Sequence, residues 1–185
     1  MNHPPLPRWP AVLVLAAALL PGLAPAQSQR SGHAHQHGIA RLDVVVEERR
    51  IGFALEMPLD NLVGFERAPR TAGEKRRVDA AVATLKAAGE LFRIDPAAGC
   101  RLAEVTLTSA ALKLGDASTE PDDGHADLDA DIAFECSQAT KAAQVEIRLF
   151  QAFPRLQRLD VQAATPKRQF KRSLKRPDGR LSLVP

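Results

Sequence analysis

The sequence predicts an α+β fold: a single domain, mainly antiparallel β-sheet, with one principal α-helix. Three observations carry this. Apolar and polar residues alternate through two neighbouring runs, Ile39 to Val46 and Ile51 to Met57, with charged Glu47-Glu48-Arg49-Arg50 between them. That is the pattern of two half-buried strands joined as a hairpin. Thr71-Ala72-Gly73-Glu74 fits a capping box and precedes apolar residues at helical spacing, which marks a helix start. A third strict alternation, Ala126, Leu128, Ala130, Ile132, Phe134 and Cys136, places a strand from His125 to Cys136.

Residues 1–26 read as a secretory signal. Arg8 supplies a positive start, Ala11 to Leu20 is unbroken apolar sequence, and Pro21-Gly22 ends it. Ala24-Pro25-Ala26 offers small residues for cleavage between Ala26 and Gln27. The apolar run is about half the ~20 residues that a membrane-spanning helix needs, and no later stretch is apolar enough to span. Export is therefore expected, with the mature chain starting at Gln27. Residues 27–38 are small and polar and read as a flexible His-rich arm, and 39–185 as the α+β domain.

Along that domain, the hairpin comes first. Pro58 to Pro69 reads as an ordered loop. The capped helix follows, with Val78, Ala81, Val82, Leu85 and Ala88 on one stripe and Gly89 as its expected end. Leu102 to Leu114 reads as a strand. Val145, Ile147 and Leu149 suggest another, and Leu149 to Leu156 a short turn or helix before Pro154 takes effect. Further strands are expected around Leu159–Ala163, Gln169–Leu174 and Leu181–Val184.

Two cysteines, Cys100 and Cys136, are present. An even pair in an exported chain predicts a disulfide. Thiolate metal ligation is the weaker alternative, because neither has a Cys or His neighbour at zinc-site spacing.

The formal net charge is only +3 at pH 7, which argues against a dedicated nucleic-acid binder. Charge is uneven: Glu120 to Asp131 is acidic, and Lys167-Arg168, Lys171-Arg172 and Lys175-Arg176 form a basic tract. Such a tract is ordinarily a solvated face, with an acidic partner or lipid headgroups as the functional alternative. Catalysis has little support, since nucleophile-elbow, phosphate-loop, dinucleotide and HExxH motifs are all missing from the sequence. The chain is not expected to be an enzyme.

Metal chemistry is the strongest functional signal. His33, His35 and His37 fall within five residues. In an extended segment, side chains two apart share a side, so the three imidazoles can converge on one ion. Neutral imidazole suits zinc, copper and nickel, and the residues alone leave zinc and copper both open. A second candidate is the odd-numbered face of the later strand, where His125, Asp127, Asp129 and Asp131 lie opposite the apolar residues. His125, Asp127 and Asp129 are candidate ligands that the arm can borrow. The bland alternative is a solvated polar face.

The ordered set His37-Gly38, Glu56-Met57-Pro58, Asn61-Leu62-Val63-Gly64-Phe65-Glu66, Leu91-Phe92, Gly99-Cys100, Phe134-Glu135-Cys136, Leu149-Phe150 and Phe153-Pro154 resembles the zinc-regulated periplasmic proteins of Gram-negative bacteria typified by ZrgA. The resemblance spans nearly all of the mature chain. It implies a periplasmic, non-catalytic zinc-binding protein that assists zinc acquisition by delivering or buffering metal beside an importer or its binding protein. Family members usually carry His after Phe-Glu, where this chain has Arg67. Many also carry a long His- and acid-rich insertion between the cysteines, where this chain has a short segment with His125 alone. The competing expectations are a structural or adaptor domain of the envelope and a copper-handling protein.

Overall fold

The computed structural model describes residues 37–116 and 126–184. The expected hairpin is β1 (Ile39–Val46) and β2 (Arg50–Pro58), paired antiparallel with Leu42 opposite Leu55 and Val44 opposite Phe53. Even residues of β1 and odd residues of β2 are buried, so the period-2 pattern sets which face meets the core.

The segment after β2 is not a plain loop. Leu59–Val63 forms a short helix, α1, with Leu59, Asp60, Asn61 and Val63 buried. Gly64 ends it at φ 85°, a left-handed value that glycine adopts without a Cβ penalty. The capping box forms as expected. Thr71 accepts from the Glu74 backbone N–H at 3.1 Å, and Glu74 accepts in return from the Thr71 N–H at 3.2 Å. It starts α2 (Ala72–Lys86), which turns Val78, Ala81 and Leu85 inward. Gly89 does not end this helix. α2 stops at Lys86, and Gly89 lies inside the next one, α3 (Ala88–Leu91), because buried Ala88 and Leu91 hold that turn against the core. α3 runs straight into β3 (Phe92–Ile94), for which the sequence shows no periodic signal.

β4 (Cys100–Thr108) is shorter than the apolar run suggested. After Thr108 the chain turns through Ala110–Lys113, closed by a bridge between Ser109 and Leu114. β5 (Asp127–Cys136) carries the expected alternation, and β6 (Gln144–Ile147) follows. α4 (Leu149–Ala152), β7 (Arg158–Thr165), β8 (Arg168–Lys175) and β9 (Arg180–Ser182) complete the order.

Two sheets result. The larger has the order β4-β5-β2-β1-β7-β8, and the smaller is β3-β6-β9. Pairing is antiparallel except between β1 and β7, which run parallel with Leu42 beside Val161. The inner face of the large sheet packs on α2 residues and on the small sheet. Phe53 of β2 stacks on Phe92 of β3 at 4.5 Å and meets Phe134 of β5 edge-on at 5.8 Å. Burying each such ring contributes roughly 2–3 kcal/mol. The outer face of the large sheet carries Arg41, Asp43, Glu56, Asp129, Asp131 and Lys171, all exposed. Cys100 and Cys136 face each other across β4 and β5 and are joined as a disulfide, with Cys136 buried. Among the described residues, no helix is long and apolar enough to cross a membrane.

Candidate metal-binding region

The residue directly before β1 is held through its backbone. Gly38 lies at φ 80°. Its N–H donates to Asn61 Oδ1 at 2.7 Å, and Asn61 Nδ2 donates to the Ile39 carbonyl at 2.8 Å. The Gly38 carbonyl accepts from the N–H groups of Gln157 and Arg158, at 2.8 and 2.9 Å. A Cβ at Gly38 would also come within 3.3 Å of Gln157 Cγ. α1 and the start of β7 thus fix the residue directly after His37.

His37 is placed accordingly. Its Nδ1 is 3.1 Å from Asp60 Oδ2, and its Nε2 is 3.8 Å from Glu66 Oε1. Asp60 is also held by Arg155, whose Nη2 donates to both carboxylate oxygens at 2.8 and 3.0 Å and whose Nε reaches Oδ2 at 3.3 Å. Burial alone would raise the Asp60 pKa. The hydrogen bonds from Arg155 and His37, with the charge of Arg155, outweigh it and leave the carboxyl below its ordinary range. Exposure is graded along this chain of contacts: the Asp60 side chain is 10 % exposed, Glu66 35 % and His37 66 %.

Of the other candidate ligands, His33, His35 and His125 lie outside the described residues, as does the Ala26–Gln27 cleavage site. Asp127 and Asp129 are on β5, facing away from the core as the alternation required. Asp129 sits opposite Glu56 on one side and Thr108 on the other. Although the residue is exposed at the surface, partial desolvation among its β2 and β4 neighbours comes first, then the charges of Glu56, Asp127 and Asp131, and together they push its pKa up to about 6. Asp127 pairs with Pro58, and the β1–β2 register carried two residues further sets Ile39 on the other side of Pro58. The starts of β1 and β5 therefore lie at one end of the sheet, two strands or about 10 Å apart. His37 and Asp127 share that end, but the contacts of His37 run to Asp60 and Glu66. Among the described residues, no three His, Cys, Asp or Glu side chains converge as metal ligands.

Asp60, Glu66 and Arg155 were not legible as site residues. The Asn61–Glu66 run stood out as a block, but nothing local ties Asp60 to Arg155. Arg67 is committed elsewhere. It donates to both Glu74 carboxylate oxygens, at 2.8 and 3.1 Å, and lies over the Phe65 ring at 5.0 Å. The basic tract is partly structural too. Arg168 stacks on Phe170 at 4.2 Å and donates to the Val184 carbonyl at 2.9 Å. Arg176 donates to the carbonyls of Phe150, Phe153 and Leu156.

The sequence model of the ZrgA family of zinc uptake proteins matches residues 34–183. The chain belongs to this family. Membership covers all nine strands and α1 to α4, and it links the chain to zinc. In this ZrgA-family chain the matched region includes His35 and His37 and the Asp60–Glu66 segment that receives His37. No curated protein matches the sequence.

Proposed function

We propose that the chain is an exported zinc-binding accessory protein of the periplasm that assists zinc uptake, buffering or delivering the ion beside an importer, without catalysis. Family membership supports the link to zinc, and the signal-like residues 1–26 support export. The ligands are His33, His35 and His37. The observation that carries this reading is the placement of His37. The last arm histidine is tied to a buried carboxylate through Nδ1 while most of its ring stays open to solvent. A donor that is oriented but exposed suits an ion that must be both taken up and released. Metal-ligating histidines ordinarily use their second nitrogen for such a bond.

Competition titration of the mature protein against a chromophoric zinc chelator tests the proposal. Wild type is expected to bind zinc, and replacing His33, His35 and His37 together with Ala is expected to abolish tight binding. Unchanged affinity in the triple variant would sink the reading.

A further inference from the structure

We infer that His37 Nε2 and the Glu66 carboxylate form a two-residue zinc site, oriented by Asp60 and Arg155. The inference rests on the zinc-binding reading above and names the donor atoms that the reading leaves open.

Both Asp60 carboxylate oxygens accept from Arg155, which has only donors to offer, so Asp60 meets its neighbours as an acceptor. His37 Nδ1, at 3.1 Å, must therefore carry the proton that joins them. In a neutral imidazole that leaves Nε2 as a lone pair. Nε2 lies 3.8 Å from Glu66 Oε1, a second acceptor, which is beyond hydrogen-bond length. Two acceptors aimed at the same gap want a cation between them.

The spacing fits the ion. Zinc takes imidazole nitrogen and carboxylate oxygen at about 2.0–2.2 Å, which puts neighbouring tetrahedral ligands about 3.3 Å apart. The observed separation exceeds this by a few tenths of an ångström, within reach of a small rotation of the partly exposed Glu66 side chain. Carboxylate, imidazole and metal in line are the arrangement in which the outer carboxylate fixes the ring and raises its basicity. Here the outer carboxylate is itself fixed by a guanidinium that is 95 positions away in sequence. Asp60 is buried and the His37 side chain is mostly exposed, so the ion has an entry path and the support does not. The remaining coordination positions fall to water. Asp60 and Arg155 are positioning residues and touch no metal.

Chelator competition on the mature protein, with melting curves of the zinc-free forms as folding controls, provides the test. Glu66→Gln and His37→Ala should each weaken zinc binding at least roughly 10-fold. Arg155→Met should weaken it by about 10-fold, the lower end of what loss of an outer partner costs. A purely structural role of Arg155 would move the zinc-free melting temperature but not the site of metallation. Long-range proton–nitrogen spectra of the zinc-loaded protein should show His37 metallated at Nε2 and protonated at Nδ1. Metallation at Nδ1, or Glu66→Gln binding zinc as wild type does, overturns the inference. In the second case His37 is merely protonated and ion-paired to Glu66. If wild type binds no zinc, the functional reading has failed and takes the inference with it. If the His33→Ala/His35→Ala variant loses zinc while Glu66→Gln keeps it, the function stands and this site does not.

Discussion

Asn61 binds the chain on both sides of one peptide unit: its side-chain oxygen accepts from the Gly38 N–H, and its side-chain nitrogen donates to the Ile39 carbonyl. This single buried amide does what a strand partner would otherwise do at the start of β1. It makes the junction between the arm and the domain a fixed point.

Asn61→Ala should therefore cost about 1–3 kcal/mol, because it leaves one buried donor and one acceptor without partners. It should also weaken zinc binding, since His37 loses the anchor of its neighbour. Urea unfolding and zinc titration measure the two effects. A variant as stable as wild type would show that water replaces the amide at no cost.

The pH dependence of Asp129 has a definite sign. Its carboxyl is pushed up to about 6 in the fold, against an ordinary value of 3.8. Between those two values the folded state holds more protons than the unfolded chain, so this group lowers stability as pH rises from about 4 to about 6. Above that window the cost remains. Asp129→Asn should raise the melting temperature at pH near 7.5 and change it little at pH near 4. An equal shift at both pH values would mean that packing, not charge, is responsible.

Glu74 behaves in the opposite way. The hydrogen bond from Arg67, then that from the Arg70 backbone, hold its pKa down to about 2. A depressed carboxyl contributes stability above its ordinary value of 4.5, and that contribution is lost as pH falls toward about 2. Arg67→Ala should move the Glu74 titration upward, and acid unfolding should begin at a higher pH. Carbon-13 titration of the carboxyl follows this directly, and a Glu74 pKa still near 2 would assign the effect to the backbone donors alone.

Removing the disulfide should cost roughly 3–4 kcal/mol on the chain-entropy model, since it closes a loop spanning a sequence separation of 36. Chemical denaturation of a Cys100→Ser/Cys136→Ser variant gives the figure. A loss well under about 1 kcal/mol would mean that the β4–β5 pairing holds the unfolded loop together by itself.

The elements legible in the sequence are those written in short-range terms. The β1–β2 hairpin, the Thr71–Glu74 capping box and the alternation that turns Asp127, Asp129 and Asp131 outward each depend on neighbours within a few residues. The cysteine pair was legible because only one pairing existed, and His37 because its residue type is rare in this chain. Where local signals conflicted, tertiary contacts won. Gly89 stayed inside α3, and Leu59–Val63 at the start of the Pro58 to Pro69 segment became α1, because buried Ala88, Leu91, Leu59 and Asn61 outweigh local preference. The parallel β1–β7 pair, the β3-β6-β9 sheet and the contact of Arg155 with Asp60 had no counterpart in any sequence window. Each joins segments far apart in the chain, and periodicity carries no information about which distant partner a strand or a charge will meet. The sequence by itself determined which residue types can bind metal and that they gather before β1. Only the tertiary structure decided that His37 turns one nitrogen to Asp60 and the other toward Glu66, because burial and Arg155 fix that carboxylate first.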